Sequence, residues 1–390
     1  MSTHIIPSLQ KNNKISKWFI CLCFAILSIY PIYRNFYYSN GILTYERHKA
    51  VIEKRSEYYN PWQYRILCPM IVEGMLFVYD HTIDKIFPIE KKIHFSIESS
   101  TGTNPETDGF VKLMQTPGAM KYMVIFIFFR LIEHFIIYLL AWKLWGAFIK
   151  NKWLIFFGIN FIALSFGNAV TAADLSFNTY LDIIFYLLTA NIIVYHKDAR
   201  WLIPITVLAA FNRETGILIP ALYFISKTNF SNFNLKKLNI KDINFPKKQT
   251  WFFTALLYIF FIIGFIGLRM YYGYQPQQVW KAKAGWPMLK LNLMSAAGIK
   301  AYMELIGTFA VVPLIILYKF KSLPYLLKKW FLFLVPIWFA AHYVSVVAYQ
   351  TRLFMVPLIL IFMPMMLWLI EKYIAGNNQE ELKSYEHNKI

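Results

Sequence analysis

The stretch Trp201–Ser226, WLIPITVLAAFNRETGILIPALYFIS, restricts how the rest of the chain can be arranged. It is apolar over most of its length, yet Asn212–Glu214 stands at its centre. Ionisable groups at membrane depth cost several kcal/mol unless they are paired or face water, so they indicate a functional site. Pro204, Pro220 and Gly216 loosen the helix. The sequence therefore predicts two half-helices meeting at Asn212–Glu214. The alternative is one spanning helix held in a bundle by an Arg–Glu pair.

The composition of the whole chain agrees with a membrane protein. Of its 390 residues, 57% are hydrophobic, whereas soluble domains are roughly 45–50% apolar and lack repeated apolar runs of about twenty residues. The formal net charge is +19, but most of the basic excess falls in a few loops, which is the pattern of cytoplasmic loops in membrane proteins. No nucleic-acid-binding module is recognisable. The expected partners are therefore membrane lipids and not nucleic acid.

The apolar runs predict an all-α, polytopic membrane helix bundle. Residues 18–374 form one transmembrane domain between an N-terminus (1–17) and a polar tail (375–390), both predicted to be cytoplasmic. A long first outer loop, 34–120, is expected to carry interfacial helices, because its apolar segment Ile66–Tyr79 is too short to span. About eight full spans are predicted, at 18–33, 122–149, 153–170, 178–195, 251–271, 302–318, 330–347 and 353–374.

Charge distribution supports a hairpin at 201–226. The loop 227–249 carries six lysines, which predicts a cytoplasmic location. That location fits the remaining basic loops only if the chain enters and leaves the 201–226 stretch on the same side. With this topology the outer face collects the 34–120 loop, Asp174, the 272–301 loop and the turn at 350–352.

Arg130, Glu133 and His134 lie in the second predicted span. Residues three or four apart share one face of a helix. Because an unpaired charge is costly inside a membrane, Arg130 is predicted to pair with Glu133 or with an acid on a neighbouring helix.

Several polar segments converge on the predicted outer face. They are Tyr45–His48, Asn60–Arg65, Asp174, Asn212–Thr215 and Gln350–Arg352. A carboxylate here is suited to deprotonating a hydroxyl, and cationic side chains are suited to holding a phosphate leaving group. Lys281 and Lys283 lie on the predicted outer face, although basic residues concentrate in the cytoplasmic loops of membrane proteins. Their location indicates either an anionic phosphate ligand or lipid headgroup contact. For Glu46 the alternative is a solvated loop charge, and for Trp62 and Tyr64 it is interfacial anchoring.

With these segments, the chain resembles the GT-C superfamily, polytopic glycosyltransferases that use polyprenyl-phosphate-linked sugars. Arg213–Thr215 resembles the Arg-x-Thr element of some members, and NPWQYRILCP (60–69) resembles a stretch in uncharacterised bacterial membrane proteins. The first outer loop departs from the family by lacking an Asp-Asp, Asp-x-Asp or Asp-Glu pair. The resemblance implies transfer of a sugar to a glycan, lipid or protein acceptor at the outer face of a bacterial inner membrane.

The resemblance and the location of the polar residues together suggest roles for individual residues. Glu46 is the expected catalytic base, with Asp174 as the second choice. Glu214 is expected to orient Arg213, and Asn212, Trp62 and Tyr64 to support the site. The expected phosphate-binding residues are Arg65, Arg213, Arg352, Lys281 and Lys283. No cofactor beyond the lipid-linked donor is implied. A divalent cation stays possible, although the sequence offers no cluster of metal ligands.

Two other classes of function fit parts of the sequence. A broken helix with charged residues at membrane depth also suits a transporter or flippase of a lipid-linked glycan. Against this alternative, no internal repeat is recognisable and the first outer loop is long. A non-catalytic subunit of a cell-envelope glycan assembly complex is the third possibility.

Overall fold

The computed structural model describes residues 16–39, 41–57, 59–94, 105–169, 177–230, 243–276, 279 and 281–374. These residues are helical, with no β-strand among them, which confirms the all-α class. Two parts of the predicted organisation, residues 1–15 and the tail 375–390, lie outside the described residues.

The helices fall into three groups along the chain. The first group is α1 (Lys17–Ser39), α2 (Ile42–Ile52), α3 (Tyr59–Trp62), α4 (Leu67–His81), α5 (Ile83–Ile86), α6 (Ile89–Lys92) and α7 (Pro105–Gln115). The second is α8 (Ala119–Trp145), α9 (Lys152–Ala169), α10 (Phe177–Val194), α11 (Leu202–Asn212), α12 (Leu218–Lys227) and α13 (Lys248–Tyr272). The third is α14 (Trp286–Met294), α15 (Ala296–Phe309), α16 (Val312–Tyr318), α17 (Tyr325–Ser345) and a C-terminal helix over Thr351–Ile374.

Within the described part of the chain, six helices are long and apolar enough to cross a membrane. They cover Lys17–Asn35, Ala119–Trp145, Lys152–Ala169, Phe177–Val194, Lys248–Tyr272 and Thr351–Ile374. A seventh crossing results if α15 and α16 are taken together, although they are bent by 74°. The span predicted at 302–318 is therefore a bent helix pair. The helix breaks at Ala310, whose φ of 49° is incompatible with a right-handed helix. The span predicted at 330–347, largely within α17, is not among the helices long and apolar enough to cross.

Short helices occupy the predicted outer segments. Helices α2 to α7 lie between α1 and α8, in the segment expected to be a loop with interfacial helices. The apolar segment that is too short to span becomes α4, which packs against α8 and α11. The second outer segment, 272–301, is more ordered than a loop. It contains α14, whose Asn292 donates to the carbonyls of Tyr343 and Val346 at the end of α17.

The central stretch folds back on itself. Arg213 is extended and breaks the helix between α11 and α12. A Cβ placed on Gly216 would lie 2.8 Å from the Ala209 Cβ, whereas seven residues of continuous helix span about 10 Å. Both arms pack along α13, where Phe224 on α12 contacts Trp251 at a ring distance of 4.4 Å. These contacts describe a hairpin with its apex at residues 212–216.

The base of the hairpin is held by polar contacts. Lys329, on α17, donates to the carbonyls of Ser226 and Thr228 at 2.7 and 2.8 Å. The Ser226 carbonyl lies in the last turn of α12 and Thr228 directly follows the helix, so neither carbonyl has a helical partner. Asn229 pairs with Asn244 through backbone hydrogen bonds, so the chain leaves the hairpin beside the start of α13.

The bundle core surrounds α8, which packs against α1 and α10. Arg130 and Glu133 are almost fully enclosed there, and Arg130 Nε lies 4.0 Å from a Glu133 carboxylate oxygen. The guanidinium also lies over the Tyr180 ring, 4.1 Å from its centroid. The predicted pairing of Arg130 with Glu133 is confirmed.

Candidate functional site

Four arginines line one cavity at the apex of the hairpin. Its volume is about 140 Å³, and it lies where α2 and the start of α4 meet α10 and the C-terminal helix. Arg213 comes from the apex, Arg47 from α2, Arg65 from the turn before α4, and Arg352 from the first turn of the C-terminal helix. Among the lining residues that the structure describes, none is Asp or Glu. The cavity is therefore a basic pocket of the kind that binds anions.

Arg213 is positioned by the break in the helix. Its backbone is extended, with φ −155° and ψ 153°, and its guanidinium donates to the Thr179 hydroxyl at 3.1 Å. Asn212 fixes the preceding turn, because its amide donates to the Asn178 carbonyl at 2.8 Å and accepts from the Cys68 thiol at 3.6 Å. The apex is thus tied to the first turn of α10 and to α4.

Glu214 pairs with arginines other than the one predicted. One carboxylate oxygen lies 2.7 Å from Arg65 and the other lies 3.6 Å from Arg269. The expectation that Glu214 orients Arg213 was wrong. Successive side chains of an extended residue and its neighbour point to different sides, so Glu214 faces α13 and the turn before α4. Glu214 instead places Arg65 at the cavity.

Thr215 completes the apex. Its hydroxyl donates to Asp182, on α10, at 2.7 Å. Its carbonyl accepts from the Tyr186 hydroxyl, one helical turn further along α10, at 2.6 Å. Asp182, Tyr186 and Thr215 do not line the arginine cavity. Thr215 and Asp182 therefore anchor the hairpin to α10.

A larger cleft adjoins the arginine cavity. It has a volume of about 580 Å³ and shares Arg47 and Trp62 with the cavity. The Arg47 guanidinium lies over the Trp62 ring, 4.5 Å from its centroid, which makes this pair the boundary between the two spaces. Glu46 is exposed and lines the cleft, but it does not line the arginine cavity. The structure therefore places the predicted base beside the arginines and not among them.

Two further carboxylates line the same cleft. They belong to Glu53 and Glu57. A hydrogen bond from Arg55 lowers the pKa of Glu53, with smaller contributions from the charges of Arg55 and Lys49. Glu53 is therefore ionised at neutral pH and already engaged with Arg55, so it is better suited to binding a polar group than to accepting a proton.

Trp62 and Tyr64 belong to a segment that is tied to the end of α13. The Tyr64 hydroxyl donates to the Gly273 carbonyl at 2.8 Å and accepts from the backbone N–H of Gln275 at 3.0 Å. The Arg269 guanidinium lies over the Tyr64 ring at 4.5 Å. Tyr64 is buried by these contacts and does not line the cavity. Its role is to hold the segment that carries Trp62 and Arg65.

The remaining predicted residues are placed as follows. Arg352 lines the cavity and donates to the Gln350 side chain at 2.8 Å. Lys281 does not line it, and its ammonium lies over the Tyr349 ring at 5.1 Å. Lys283 does not line it either. Asp174 lies outside the described residues, three positions before the cavity residue Phe177.

His48 also lines the cavity, and its side chain contacts a carboxylate. Its Nε2 lies 2.7 Å from a carboxylate oxygen of Glu73, on α4, and that same oxygen accepts from the Tyr122 hydroxyl at 2.8 Å. Burial lowers the pKa of His48, and the Glu73 contact opposes this effect. Cys68 also lines the cavity, but burial raises the pKa of its thiol, so it is a poor nucleophile.

The sequence interpretation missed four residues around this site. Arg47 and His48 were quoted in a polar segment but given no role. Asp182 and Arg269 lie inside predicted spans, and an ionisable residue at membrane depth is itself the signal that would have found them. In each case the partner lies far away in the sequence.

Within the described residues, no group of three or more His, Cys, Asp or Glu side chains could hold a metal ion. In comparisons with known proteins, no family model, no curated protein and no solved structure matches the chain.

Proposed function

We propose that this chain is a membrane glycosyltransferase that moves a sugar from a polyprenyl-phosphate donor to an acceptor. The observation that carries the proposal is the arginine cavity. It is lined by Arg47, Arg65, Arg213 and Arg352, and none of its described lining residues is Asp or Glu. Guanidinium groups bind phosphate through paired, charge-assisted hydrogen bonds. A phosphate seated here would leave the sugar facing outward, toward the adjoining cleft.

The cleft supports transfer because it offers a second, chemically different site. Its volume of about 580 Å³ is within the roughly 300–1,000 Å³ of ordinary small-molecule sites. It combines the face of Trp62 with the carboxylates of Glu46, Glu53 and Glu57. Aromatic faces and carboxylates suit the apolar faces and hydroxyls of a sugar, so the cleft is assigned to the acceptor and the transferred sugar.

The arginines would contribute to catalysis as well as to binding. When the bond from the anomeric carbon to the phosphate oxygen breaks, negative charge builds up on the departing phosphate. Fixed cations in a poorly solvated site stabilise this charge more strongly than water does. Glu46, the base that the resemblance implies, lines the cleft and not the arginine cavity.

The proposal is tested with purified protein in proteoliposomes. A panel of polyprenyl-phosphate-linked, radiolabelled sugars is supplied together with acceptor lipids and glycans from the cell envelope. We expect labelled acceptor with the wild-type protein. Arg213→Ala and Arg352→Ala should each weaken polyprenyl phosphate binding about 10- to 150-fold, because a hydrogen bond to a charged group contributes about 1.5–3 kcal/mol.

The matched control is Arg200→Ala, which removes an arginine that is exposed on the loop before α11. Binding by this variant should equal that of the wild type. The proposal fails if no acceptor is labelled while intact lipid-linked sugar crosses the bilayer, since that outcome is the signature of a flippase. Equal losses in all three arginine variants would instead show that the cavity is not the phosphate site.

A further inference from the structure

The arginine cavity contains a histidine whose ring is held by a carboxylate. His48 lines the cavity, and its Nε2 lies 2.7 Å from Glu73. With Nε2 as the donor in this contact, Nδ1 is the nitrogen of the neutral ring that can accept a proton. Glu73 is itself fixed by the Tyr122 hydroxyl at 2.8 Å. A carboxylate behind an imidazole in this way sets both its tautomer and its orientation.

We infer that His48 is the proton acceptor of the reaction in this cavity, with Glu73 as its positioning residue. The inference rests on the proposed function. His48 shares the cavity with Arg213 and Arg47, whereas Glu46 is exposed in the cleft beyond the Arg47–Trp62 pair. The acceptor enters from the cleft, and its attacking hydroxyl must meet the donor at the boundary between cleft and cavity, next to the bound phosphate. His48 follows Arg47, which lines both spaces, and is assigned as the base at this boundary.

The proposed transfer step forms one bond, breaks one bond and moves one proton. The acceptor hydroxyl oxygen forms a bond to the anomeric carbon of the donor sugar. The bond from that carbon to the phosphate oxygen breaks, and its electron pair leaves with the polyprenyl phosphate. The hydroxyl proton passes to Nδ1 of His48. The added negative charge of the phosphate is compensated by Arg213, Arg65 and their neighbours.

The pH dependence follows from the surroundings of His48. The ring is a base only when neutral, so the rate falls as the pH is lowered through its pKa. Burial places that pKa below the ordinary value of 6.5. Replacing Glu73 by Gln removes a contribution that raises the pKa, so the acid limb should move to lower pH. The titratable and charged groups near His48 are Glu73, Tyr122, Tyr45, Lys49, Arg47, Arg65, Arg213 and Arg352.

The experiment compares wild-type protein, His48→Gln, Glu73→Gln and Glu46→Gln in proteoliposomes. His81→Gln is the matched control, because His81 is exposed at the end of α4 and outside the cavity. Two quantities are measured for each protein: the transfer rate from pH 5 to 9, and the binding of sugar-free polyprenyl phosphate. Binding reports whether a variant is folded and whether the arginine cavity is intact.

We expect His48→Gln to lower the transfer rate by about 10²- to 10⁴-fold, the usual effect of losing a general base. Polyprenyl phosphate binding should change by less than about threefold. Glu73→Gln should keep measurable transfer with its acid limb shifted to lower pH. His81→Gln should match the wild type in rate, profile and binding.

Three results overturn the inference, and they are distinguishable. Transfer by His48→Gln at the wild-type rate and profile would exclude the base role while leaving the proposed function intact. A loss of lipid-phosphate binding in parallel with the loss of transfer would show that His48 is structural. If the wild-type protein transfers no sugar from any donor, the proposed function fails, and the role of His48 fails with it.

Discussion

At the apex of the hairpin, three neighbouring residues contact different parts of the bundle. Arg213 contacts Thr179 in the first turn of α10, Glu214 bridges Arg65 and Arg269, and Thr215 contacts Asp182. The extended conformation of residue 213 produces this divergence. One short polar segment thereby joins α10, α13 and the turn before α4, and it brings Arg65 to the cavity.

The bridge formed by Glu214 leads to a prediction at this scale. Glu214→Gln should destabilise the protein by about 1–3 kcal/mol. This is less than the roughly 3–5 kcal/mol for breaking a fully buried ion pair, because the Glu214 side chain is 38% exposed. Thermal unfolding in detergent should show a lower midpoint, and polyprenyl phosphate binding should weaken because Arg65 loses its anchor.

The control for this prediction is Asp198→Asn. Asp198 pairs with Arg200 at 2.7 Å, but this pair is on the surface, with the Arg200 side chain 83% exposed. Solvent-exposed pairs contribute little to stability, so the unfolding midpoint should stay unchanged. Equal midpoints for Glu214→Gln and the wild type would show that the bridge is not structural.

At the scale of elements, the hairpin depends on close packing of its two arms. Gly216 begins the descending arm and leaves no room for a side chain. An added Cβ would lie 2.8 Å from Ala209 Cβ and 3.1 Å from the Phe261 ring. The glycine thus permits the ascending arm, the descending arm and α13 to meet at one level.

Gly216→Ala should therefore destabilise the protein by about 1–3 kcal/mol, the usual effect of overpacking a close-packed interior. Gly267→Ala on α13 is the matched control, since its Cβ would meet nothing within 4 Å and alanine favours helix. Thermal unfolding of both variants gives the comparison. A midpoint for Gly216→Ala at or above that of Gly267→Ala would contradict the packing described for the apex.

At the scale of the whole molecule, the hairpin sets the orientation of everything that follows it. The apex contacts the first turn of α10, so the loop before α11, which follows the end of α10, lies at the opposite end of the bundle from the apex. The chain returns toward that end through α12 to the segment before α13, where Asn229 pairs with Asn244. Gly273 and Tyr274 follow α13 at the other end, near Tyr64. A single crossing at residues 201–226 would have separated the loop before α11 from the segment before α13. The middle of the loop predicted to be cytoplasmic, 231–242, lies outside the described residues.

Single-cysteine labelling tests this topology. Arg200→Cys, Lys247→Cys and Tyr274→Cys place thiols at three exposed positions in a protein whose native Cys21, Cys23 and Cys68 have been replaced by serine or alanine. An impermeant maleimide should label Tyr274→Cys in intact cells, and the other two only after permeabilisation. Labelling of Lys247→Cys but not Arg200→Cys from outside would contradict the hairpin.

The sequence by itself determined the membrane class, the helical fold and the break at Asn212–Glu214. These features follow from local composition: apolar runs require helices in a membrane, and charges inside such a run require a break or a partner. The pairing of Arg130 with Glu133 was predictable for the same reason, since one helical turn separates them. Of the eight predicted spans, the described residues support six, or seven if the bent pair α15 and α16 forms one crossing. The other predicted span, 330–347, lies largely in α17, which is not among the helices long and apolar enough to cross a membrane.

Only the tertiary structure decided which polar residues meet. Glu214 and Arg65 are 149 positions apart, and His48 and Glu73 are 25 apart on different helices. Composition cannot predict which acid pairs with which base, because any carboxylate within reach can form an ion pair with a given arginine. The packing of α4 against the hairpin apex selects the pairs, gathers four arginines around one cavity, and leaves Glu46 in the cleft beside it.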